Sequence, residues 1–161
     1  MKKLTALILI IVLLFAGCSV KSAEDYYGET QKPSDKKVTV SVNCRTAVEY
    51  LKDGERVNPD ILKDYEVGFK NGETVFDALK TALKENRIQF DYNGSGDSVY
   101  IRGIDYLYEF DCGDTSGWEF SVNGKFPSVG CSAVKLNDGD KISWLYTCDL
   151  GADIGNKYKG N

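Results

Sequence analysis

Histidine is missing from the 161-residue chain, and its absence excludes several kinds of chemistry at once. Without histidine there can be no Ser-His-Asp triad, no Cys-His pair and no histidine-ligated zinc site. Carboxylates remain available, but no pair of them stands in a sequence context typical of glycosidases. We therefore expect a protein that is not an enzyme and has no catalytic residues.

An excess of positive charge is also missing. The chain has 20 Lys and Arg against 24 Asp and Glu, which gives a formal net charge of −4. Such a chain has no basic field to attract a phosphate backbone. Nucleic acid is therefore excluded as a partner. No segment repeats internally at a fixed period.

The apolar run at residues 4–15 is too short to span a bilayer comfortably. Lys2 and Lys3 precede it and Ala16-Gly17-Cys18 follows it, which is the pattern of a secretory signal. A cysteine directly after Ala-Gly resembles the bacterial lipobox, in which cleavage precedes the cysteine and its thiol receives a diacylglyceryl group. Phe15 stands where leucine is usual. We predict a lipoprotein signal peptide over residues 1–17 and lipidation of Cys18; the alternative is an ordinary secretory signal.

The rest of the chain has the size of one domain with a tail. Removal of residues 1–17 from 161 residues leaves 144, with no room for a second sizeable domain. Residues 18–37 are polar and without periodicity, which predicts a flexible tether. We expect a folded domain over residues 38–155 and a polar tail over residues 156–161. Several acyl chains on Cys18 would hold this domain stably at the extracellular face of the cell membrane.

Four cysteines remain for the folded part: Cys44, Cys112, Cys131 and Cys148. An even number in an exported chain indicates two disulfides. Spacing alone permits three connectivities. Cys44 and Cys148 each end the buried face of a strand, so parallel neighbouring strands would favour the pairs Cys44–Cys148 and Cys112–Cys131. A four-cysteine zinc site is the alternative, but no CxxC spacing supports it, and no metal is predicted.

Apolar periodicity predicts an α+β fold. Alternation predicts a first strand over residues 38–44 and a last strand over residues 141–148. Residues 46–65 are predicted to be mainly loop, and residues 65–74 a brief strand and turn. Short strands are predicted over residues 88–92, 98–104 and 105–110. Thr74 and Asp77 form a capping box before one amphipathic helix, whose apolar residues are Val75, Phe76, Leu79, Ala82 and Leu83. This helix must pack on a sheet, which predicts a β-grasp-like mixed sheet with a C-terminal β-hairpin region.

The most informative segment, residues 111–150, combines turn signals with clustered aromatic residues. Asn123-Gly124 is the favoured pair for a two-residue type I′ hairpin, and Asp138-Gly139 gives a second turn. Trp144 and Tyr146 share the phase of Ile142 and are predicted to be core.

We predict a ligand-binding surface around Trp118, where small neighbours would let a flat ligand approach; the alternative for Trp118 itself is a core position. The predicted surface also includes the hairpin tip and a two-tyrosine stripe. Its nine residues are Ser116, Gly117, Trp118, Asn123, Gly124, Phe126, Pro127, Tyr106 and Tyr108.

Aspartates cluster in the predicted turns and could suggest calcium. The five are Asp111, Asp114, Asp138, Asp140 and Asp149. No twelve-residue EF-hand loop contains them. Turn formation explains them better, because aspartate side chains accept hydrogen bonds from nearby backbone N–H groups.

The pieces SGW, VNG, DGD and YTCDLG, with VTVSVNC and GETVFDAL upstream, resemble the transcobalamin C-terminal-domain-like family of Gram-positive surface lipoproteins. Those modules are similar to the small β-domain of vitamin B12 carriers, and the resemblance covers residues 38–155. It implies a β-grasp-like domain and an extracellular binding role, with cobalamin or another corrinoid as the candidate ligand. In the animal carriers a helical barrel supplies most of the corrin-binding surface. The alternative is a surface protein-interaction or adhesion module.

Overall fold

The computed structural model describes residues 35–51 and 58–156, which lie in the unit Pro33–Asn161. The predicted signal peptide, Cys18, most of the tether and residues 157–161 are outside the described residues. The described part contains seven strands and one α-helix. In chain order they are β1 (Lys37–Asn43), β2 (Asp60–Gly68), α1 (Val75–Glu85), β3 (Phe90–Asn93), β4 (Tyr100–Ile104), β5 (Leu107–Tyr108), β6 (Gly117–Val122) and β7 (Lys141–Thr147). No helix in these ranges is long and apolar enough to cross a membrane.

The larger sheet is mixed, with strand order β2-β1-β7-β6. Its central pair, β1 and β7, is parallel, whereas β2 and β6 are antiparallel to their neighbours. Val40 lies opposite Ile142 and Val42 opposite Trp144, so the alternating apolar residues of both strands share one buried face. The parallel pairing predicted for the first and last strands is confirmed.

Helix α1 packs its apolar stripe onto this fold. The amide of Thr74 donates to Asp77 Oδ2 at 3.0 Å and the amide of Asp77 donates to Thr74 Oγ1 at 3.3 Å, which completes the predicted capping box. All five predicted apolar positions of the helix are buried, and the helix contacts β1 and β2. The prediction of this helix is confirmed.

A second sheet, of order β3-β4-β5, replaces part of the single sheet predicted. Asp105 and Tyr106 join β4 to β5 with φ angles of 51° and 61°. The strand predicted over residues 105–110 is therefore wrong except at Leu107–Tyr108, and Tyr106 and Tyr108 do not form one strand face. The predicted loop over residues 46–65 also contains the start of β2, at Asp60, and the brief strand predicted from residue 65 is the end of that strand.

The two predicted disulfides are unconfirmed. All four described cysteines are buried, and no pair is at bonding distance. Because Asn43 lies opposite Leu145, Cys44 comes level with Tyr146, and Cys148 lies two residues farther on, just after the end of β7. The Cys148 side chain instead stands 4.2 Å from Cys112. Cys131 lies at β4, where its thiol donates to the carbonyl oxygen of Val99 at 3.6 Å.

Candidate functional site

A pocket of about 320 Å³ lies along β6, between β4 and the segment that follows the β6 hairpin turn. It unites three of the predicted site residues, Trp118, Phe126 and Pro127. Most of its lining is aromatic or aliphatic. The lining residues are Val99, Tyr100, Ile101, Trp118, Glu119, Phe120, Phe126, Pro127, Ser128, Val129, Gly130, Cys131, Trp144 and Asn156.

The floor consists of aromatic rings on adjacent strands. Because side chains alternate along a strand, Trp118 and Phe120 point to the same face of β6. Trp118 lies opposite Tyr146 with ring centroids 5.2 Å apart in an edge contact, and Phe120 lies opposite Trp144, also at 5.2 Å. Trp118 and Trp144 are buried, whereas Phe120 is only partly covered. The floor is therefore closed by packed rings at Trp118 and Trp144 and is open at Phe120.

The tight turn after β6 positions Phe126 and Pro127. Asn123 and Gly124 have φ angles of 53° and 76°, as a type I′ turn requires. The amides of Val122 and Lys125 each donate to the other's carbonyl oxygen, at 2.9 and 3.0 Å. The hairpin predicted from Asn123-Gly124 is confirmed.

The segment that follows the β6 hairpin turn forms one wall of the pocket, and contacts near the start of β4 hold it in place. Ser132 Oγ accepts a hydrogen bond from the amide of Val99 at 3.1 Å. Gly130 passes so close to the turn before β4 that a Cβ at this position would lie 3.1 Å from the carbonyl oxygen of Asp97. The absence of a side chain at Gly130 therefore allows the wall to close.

The rim of the pocket is polar and acidic. Asn156 Nδ2 donates to Glu119 Oε2 at 2.7 Å. Burial, a hydrogen bond with Glu109 and the nearby charge of Glu119 raise the pKa of Tyr100 to about 12. Tyr100 therefore stays neutral at physiological pH. Glu109 is paired with Arg102 at 3.0 Å, so Glu119 is the carboxylate of the rim that disfavours anionic ligands.

The two tryptophans of the pocket differ in their hydrogen bonding. Trp118 Nε1 donates to the carbonyl oxygen of Leu107 at 2.9 Å. Trp144 Nε1 is buried and has no hydrogen-bond partner among the described residues. Trp118 is thus both a core residue, as the alternative interpretation held, and part of the pocket.

Six predicted site residues are not among those that line the pocket. Ser116 Oγ accepts from the amide of Cys112 at 3.1 Å and donates to Gly113, and the hydroxyl of Tyr146 lies 2.9 Å from it. Gly117 lies beside Tyr100, where an added Cβ would make an ordinary contact of 3.5 Å with Tyr100 Oη. Asn123 and Gly124 form the turn itself.

The two tyrosines of the predicted stripe lie apart from the pocket. Tyr108 packs on Gly103, where an added Cβ would lie 2.5 Å from its ring, and Tyr108 Oη accepts from Gln89 Nε2 at 3.0 Å. Tyr106 is exposed in the β4–β5 turn. The ligand-binding roles of all nine residues stay predictions.

Sequence reasoning missed several lining residues. Phe120 could have been found, because it shares the period-two phase of Trp118. Trp144 was assigned to the core, which is correct for its burial but omits its place in the pocket floor. Val99 and Tyr100 carried no signal, because only tertiary contact between β4 and β6 brings them to the site.

The acidic turns show no cation site. Within residues 35–51 and 58–156, no three Cys, Asp or Glu side chains form a group that could hold a metal ion. The carboxylate of Asp111 accepts from the amide of Tyr108 at 2.7 Å, Asp138 from Lys37 at 2.8 Å and Asp140 from Asn137 at 2.8 Å. These three aspartates hold turns and connections, as predicted.

Comparisons with known proteins agree with the transcobalamin-like fold. A family model for a domain of unknown function, DUF4430, matches residues 72–147, which contain α1 and strands β3 to β7. Haptocorrin in complex with Cbi is similar in structure, with a TM-score of 0.54 and 21% sequence identity; the match covers 78% of this chain and 28% of the haptocorrin chain.

A protein from Ruminococcus gnavus ATCC 29149 to which metal binding has been ascribed is also similar in structure. Its TM-score is 0.48 and its identity 16%, and the match covers 70% of this chain and 97% of that chain. No curated protein sequence matches the chain significantly.

Proposed function

We propose that this domain is a non-catalytic binding module and that the pocket along β6 holds a small, planar ligand. The aromatic pocket, which gathers Trp118, Phe126 and Pro127 beside Trp144, is the observation that carries this proposal. Its volume of about 320 Å³ lies within the range of small-molecule sites. Aromatic faces favour a flat ligand, because planar groups stack in offset or edge arrangements.

The shape around Trp118 bears on the alternative of a protein-interaction module. Exposed Tyr106, Phe110 and Leu150 offer apolar surface to a protein partner. The aromatic side chains around Trp118, however, form a concavity, and concave sites suit small molecules. We therefore favour the small ligand.

A corrinoid is the candidate ligand. Its support is the fold shared with haptocorrin, whose structure was determined in complex with Cbi. A corrin ring with its side chains is wider than this pocket, so the pocket would grip one edge of it. The neutral amides at the corrin periphery would suit the rim formed by Tyr100, Glu119 and Asn156, which repels anions.

Isothermal titration of the protein with cobinamide and cobalamin tests this proposal. We expect heat of binding, and we expect Phe126→Ala to raise the Kd about tenfold, the equivalent of 1.4 kcal/mol for one stacked ring. The melting temperature should hardly change, because Phe126 lies at the pocket and is only partly buried. Lys125→Ala, on the same turn but not in the lining, is the matched control. Absence of heat with both corrinoids would refute the corrinoid ligand.

We also propose that the domain is displayed outside the cell by a lipid on Cys18. The support is the N-terminal sequence alone, where an apolar run and Ala-Gly precede the cysteine. In cells fed a labelled fatty acid, the wild type should carry label in the membrane fraction. Cys18→Ala should lose both the label and the membrane association; a labelled Cys18→Ala protein would contradict the assignment.

A further inference from the structure

The pocket lies along the free edge of β6 and not against one of its faces. Trp118, Glu119 and Phe120 are consecutive in β6, and all three line the pocket. Neighbouring side chains of a strand point to opposite faces of the sheet, so one cavity contacts all three only if it lies along the edge. The other edge of β6 is paired with β7, and β4, across the pocket, belongs to the second sheet. The pocket therefore borders the edge at which β6 has no strand partner.

The register of β6 on β7 determines which backbone groups face this edge. The amide of Asn123 donates to the carbonyl oxygen of Lys141 at 2.8 Å, so its N–H points toward β7. Backbone groups of successive residues point to alternate sides of a strand, so those of Val122 and Phe120 point away from β7. Val122 has this direction, because it exchanges both of its hydrogen bonds with Lys125 on the far side. The N–H and C=O of Phe120 therefore face the free edge.

The chain itself leaves these two groups of Phe120 unpaired. Residues 125–127 run back from the hairpin turn, and the residue that would come opposite Phe120 is Pro127, which has no N–H to donate. Pro127 lines the pocket, so this arm leaves β6 and becomes its wall. Within residues 35–51 and 58–156, the backbone of Phe120 forms no hydrogen bond to this arm or to β4. A donor and an acceptor are thus available where the pocket floor is open.

The open edge is short, which favours a small molecule over a strand of another protein. Toward the start of β6, the carbonyl oxygen of Ser116 accepts from the amide of Phe110 at 3.1 Å. Toward its end, Val122 is paired with Lys125. The open edge between these two contacts is limited to residues 118–120, whereas strands in proteins are commonly about five or six residues long. This edge therefore has room for one pairing residue.

The surroundings of the edge restrict the ligand further. A residue in an antiparallel pair exchanges two hydrogen bonds with its partner, one in each direction. A matching ligand carries an N–H and a C=O on either side of one carbon atom, as an amino-acid residue does. Phe120 and Phe126 favour an aromatic side chain on that carbon. Glu119 at the rim disfavours a free carboxylate, which a neutral amide avoids.

We propose that the pocket binds a neutral N-acyl aromatic amino-acid amide, which pairs with the N–H and C=O of Phe120 as one residue of an added strand. This inference rests on the proposed small-ligand function of the same pocket and assigns its ligand class. The paired donor and acceptor give the selectivity. A molecule without the N–H leaves the carbonyl oxygen of Phe120 unpaired and binds more weakly.

Two probes that differ in this N–H test the pairing. The full chain, labelled with nitrogen-15, is titrated with N-acetylphenylalaninamide and with its N-methyl analogue, N-acetyl-N-methylphenylalaninamide. We expect the first probe to move the amide signal of Phe120 downfield and that of Ser121, which faces Ser143 of β7, much less. The N-methyl analogue should have a Kd about tenfold higher, the loss expected for one hydrogen bond. Equal Kd values, or binding that leaves the Phe120 signal fixed, would overturn the pairing.

Phe120→Pro and Phe120→Ala are matched variants. Both lose the ring, but only Phe120→Pro also loses the N–H, which lies outside the β6–β7 ladder at an edge where proline is tolerated. Phe120→Pro should bind N-acetylphenylalaninamide about tenfold more weakly than Phe120→Ala does. Equal binding by the two variants refutes the pairing. If Phe120→Pro does not fold, the two probes on the wild-type chain decide the question.

The outcomes separate this inference from the proposed function. If cobinamide binds and N-acetylphenylalaninamide does not, the binding function stands and the pairing fails. If N-acetylphenylalaninamide binds more tightly than its N-methyl analogue and cobinamide does not bind, the pairing stands and the corrinoid proposal fails. If no probe binds, both fail.

Discussion

Two of the turns in which the described residues place consecutive positions at positive φ show how single residues shape the site. Asn123-Gly124 uses the residue pair that tolerates this conformation best. Asp105-Tyr106 also has positive φ angles, and this conformation is unfavourable for a residue with a side chain as bulky as that of Tyr106. Gln89 compensates, because its carbonyl oxygen accepts from the amide of Asp105 at 2.8 Å and its Oε1 accepts from the amide of Tyr106 at 3.1 Å. The second turn is thus set by a distant residue, and no local sequence signal predicted it.

Asn123 contributes in two separable ways. Its side chain donates to Asp140 Oδ1 at 2.8 Å and accepts from the amide of Lys141 at 2.9 Å, and its backbone is left-handed. Asn123→Gly should lose only the hydrogen bonds, about 1 kcal/mol, and Asn123→Ala should lose about 1 kcal/mol more from backbone strain. Urea unfolding of the three proteins checks the order wild type, Gly, Ala. Equal stability of the Gly and Ala variants would contradict the backbone contribution.

Strand β7 connects the separate parts of the domain. It pairs with β1 and β6, supplies Trp144 to the pocket and ends beside the segment that precedes β6. Thr115 Oγ1 donates to the carbonyl oxygen of Cys148 at 2.7 Å, and the amide of Leu150 donates to the carbonyl oxygen of Thr115 at 3.1 Å. These contacts bring Cys112 to the end of β7, where Cys148 lies.

If the thiols are oxidised, we expect the first bond to join Cys112 to Cys148. The side chains are 4.2 Å apart, so a small rotation suffices. Burial raises the pKa of the Cys148 thiol to about 12 and also raises that of Cys112, so thiolate is scarce and the bond should form slowly in the folded protein. The bond should raise the free energy of unfolding by roughly 3–4 kcal/mol.

Peptide mapping without reductant checks this pairing. Cys148→Ser should abolish the linked peptide, whereas Cys131→Ser should retain it. A peptide that links Cys112 to Cys131 or Cys44 to Cys148 would contradict this prediction. It would support the pairing expected from strand parity and show that the segments rearrange on oxidation.

At the scale of the whole molecule, the titratable groups determine how stability depends on pH. The chain has no histidine, so no side chain has an ordinary pKa near neutrality. At high pH, burial raises the pKa of the Cys131 thiol from 9.0 to about 11 and that of Tyr100 from 10.0 to about 12. Both groups fit the fold in their neutral forms.

The free energy of unfolding should therefore be nearly constant from about pH 5 to pH 8.5. The sign follows from the raised pKa values: stability is fully present below the unfolded pKa of Cys131, near 9.0, and is lost as pH rises through the folded value of about 11. Thermal melts from about pH 5 to about pH 11 under reducing conditions are the measurement. Cys131→Ser, which does not titrate there, should show a shallower alkaline loss. A transition near pH 6 or 7 would contradict the prediction.

The sequence by itself determined the features that depend on local chemistry. The capping box at Thr74 and the spacing from Val75 to Leu83 specify α1, Asn123-Gly124 specifies a hairpin, and the alternation in β1 and β7 specifies which face is buried. The parallel pairing of β1 and β7 was predicted from the β-grasp-like arrangement, because alternation alone gives the buried face of each strand and not its direction. The α+β class could be predicted because one amphipathic helix must pack on a sheet.

Only the tertiary structure decided which of these parts meet. Periodicity tells which face of a strand is buried but not what covers it, so it could not place β4 beside β6 or form a pocket between them. The register of β1 on β7 leaves Cys44 level with Tyr146, two residues before Cys148, and Cys112 lies 4.2 Å from Cys148 instead. The burial of Trp144 could be predicted from its position in the alternating pattern of β7. Its unpaired N–H could not, because it depends on neighbours from other strands.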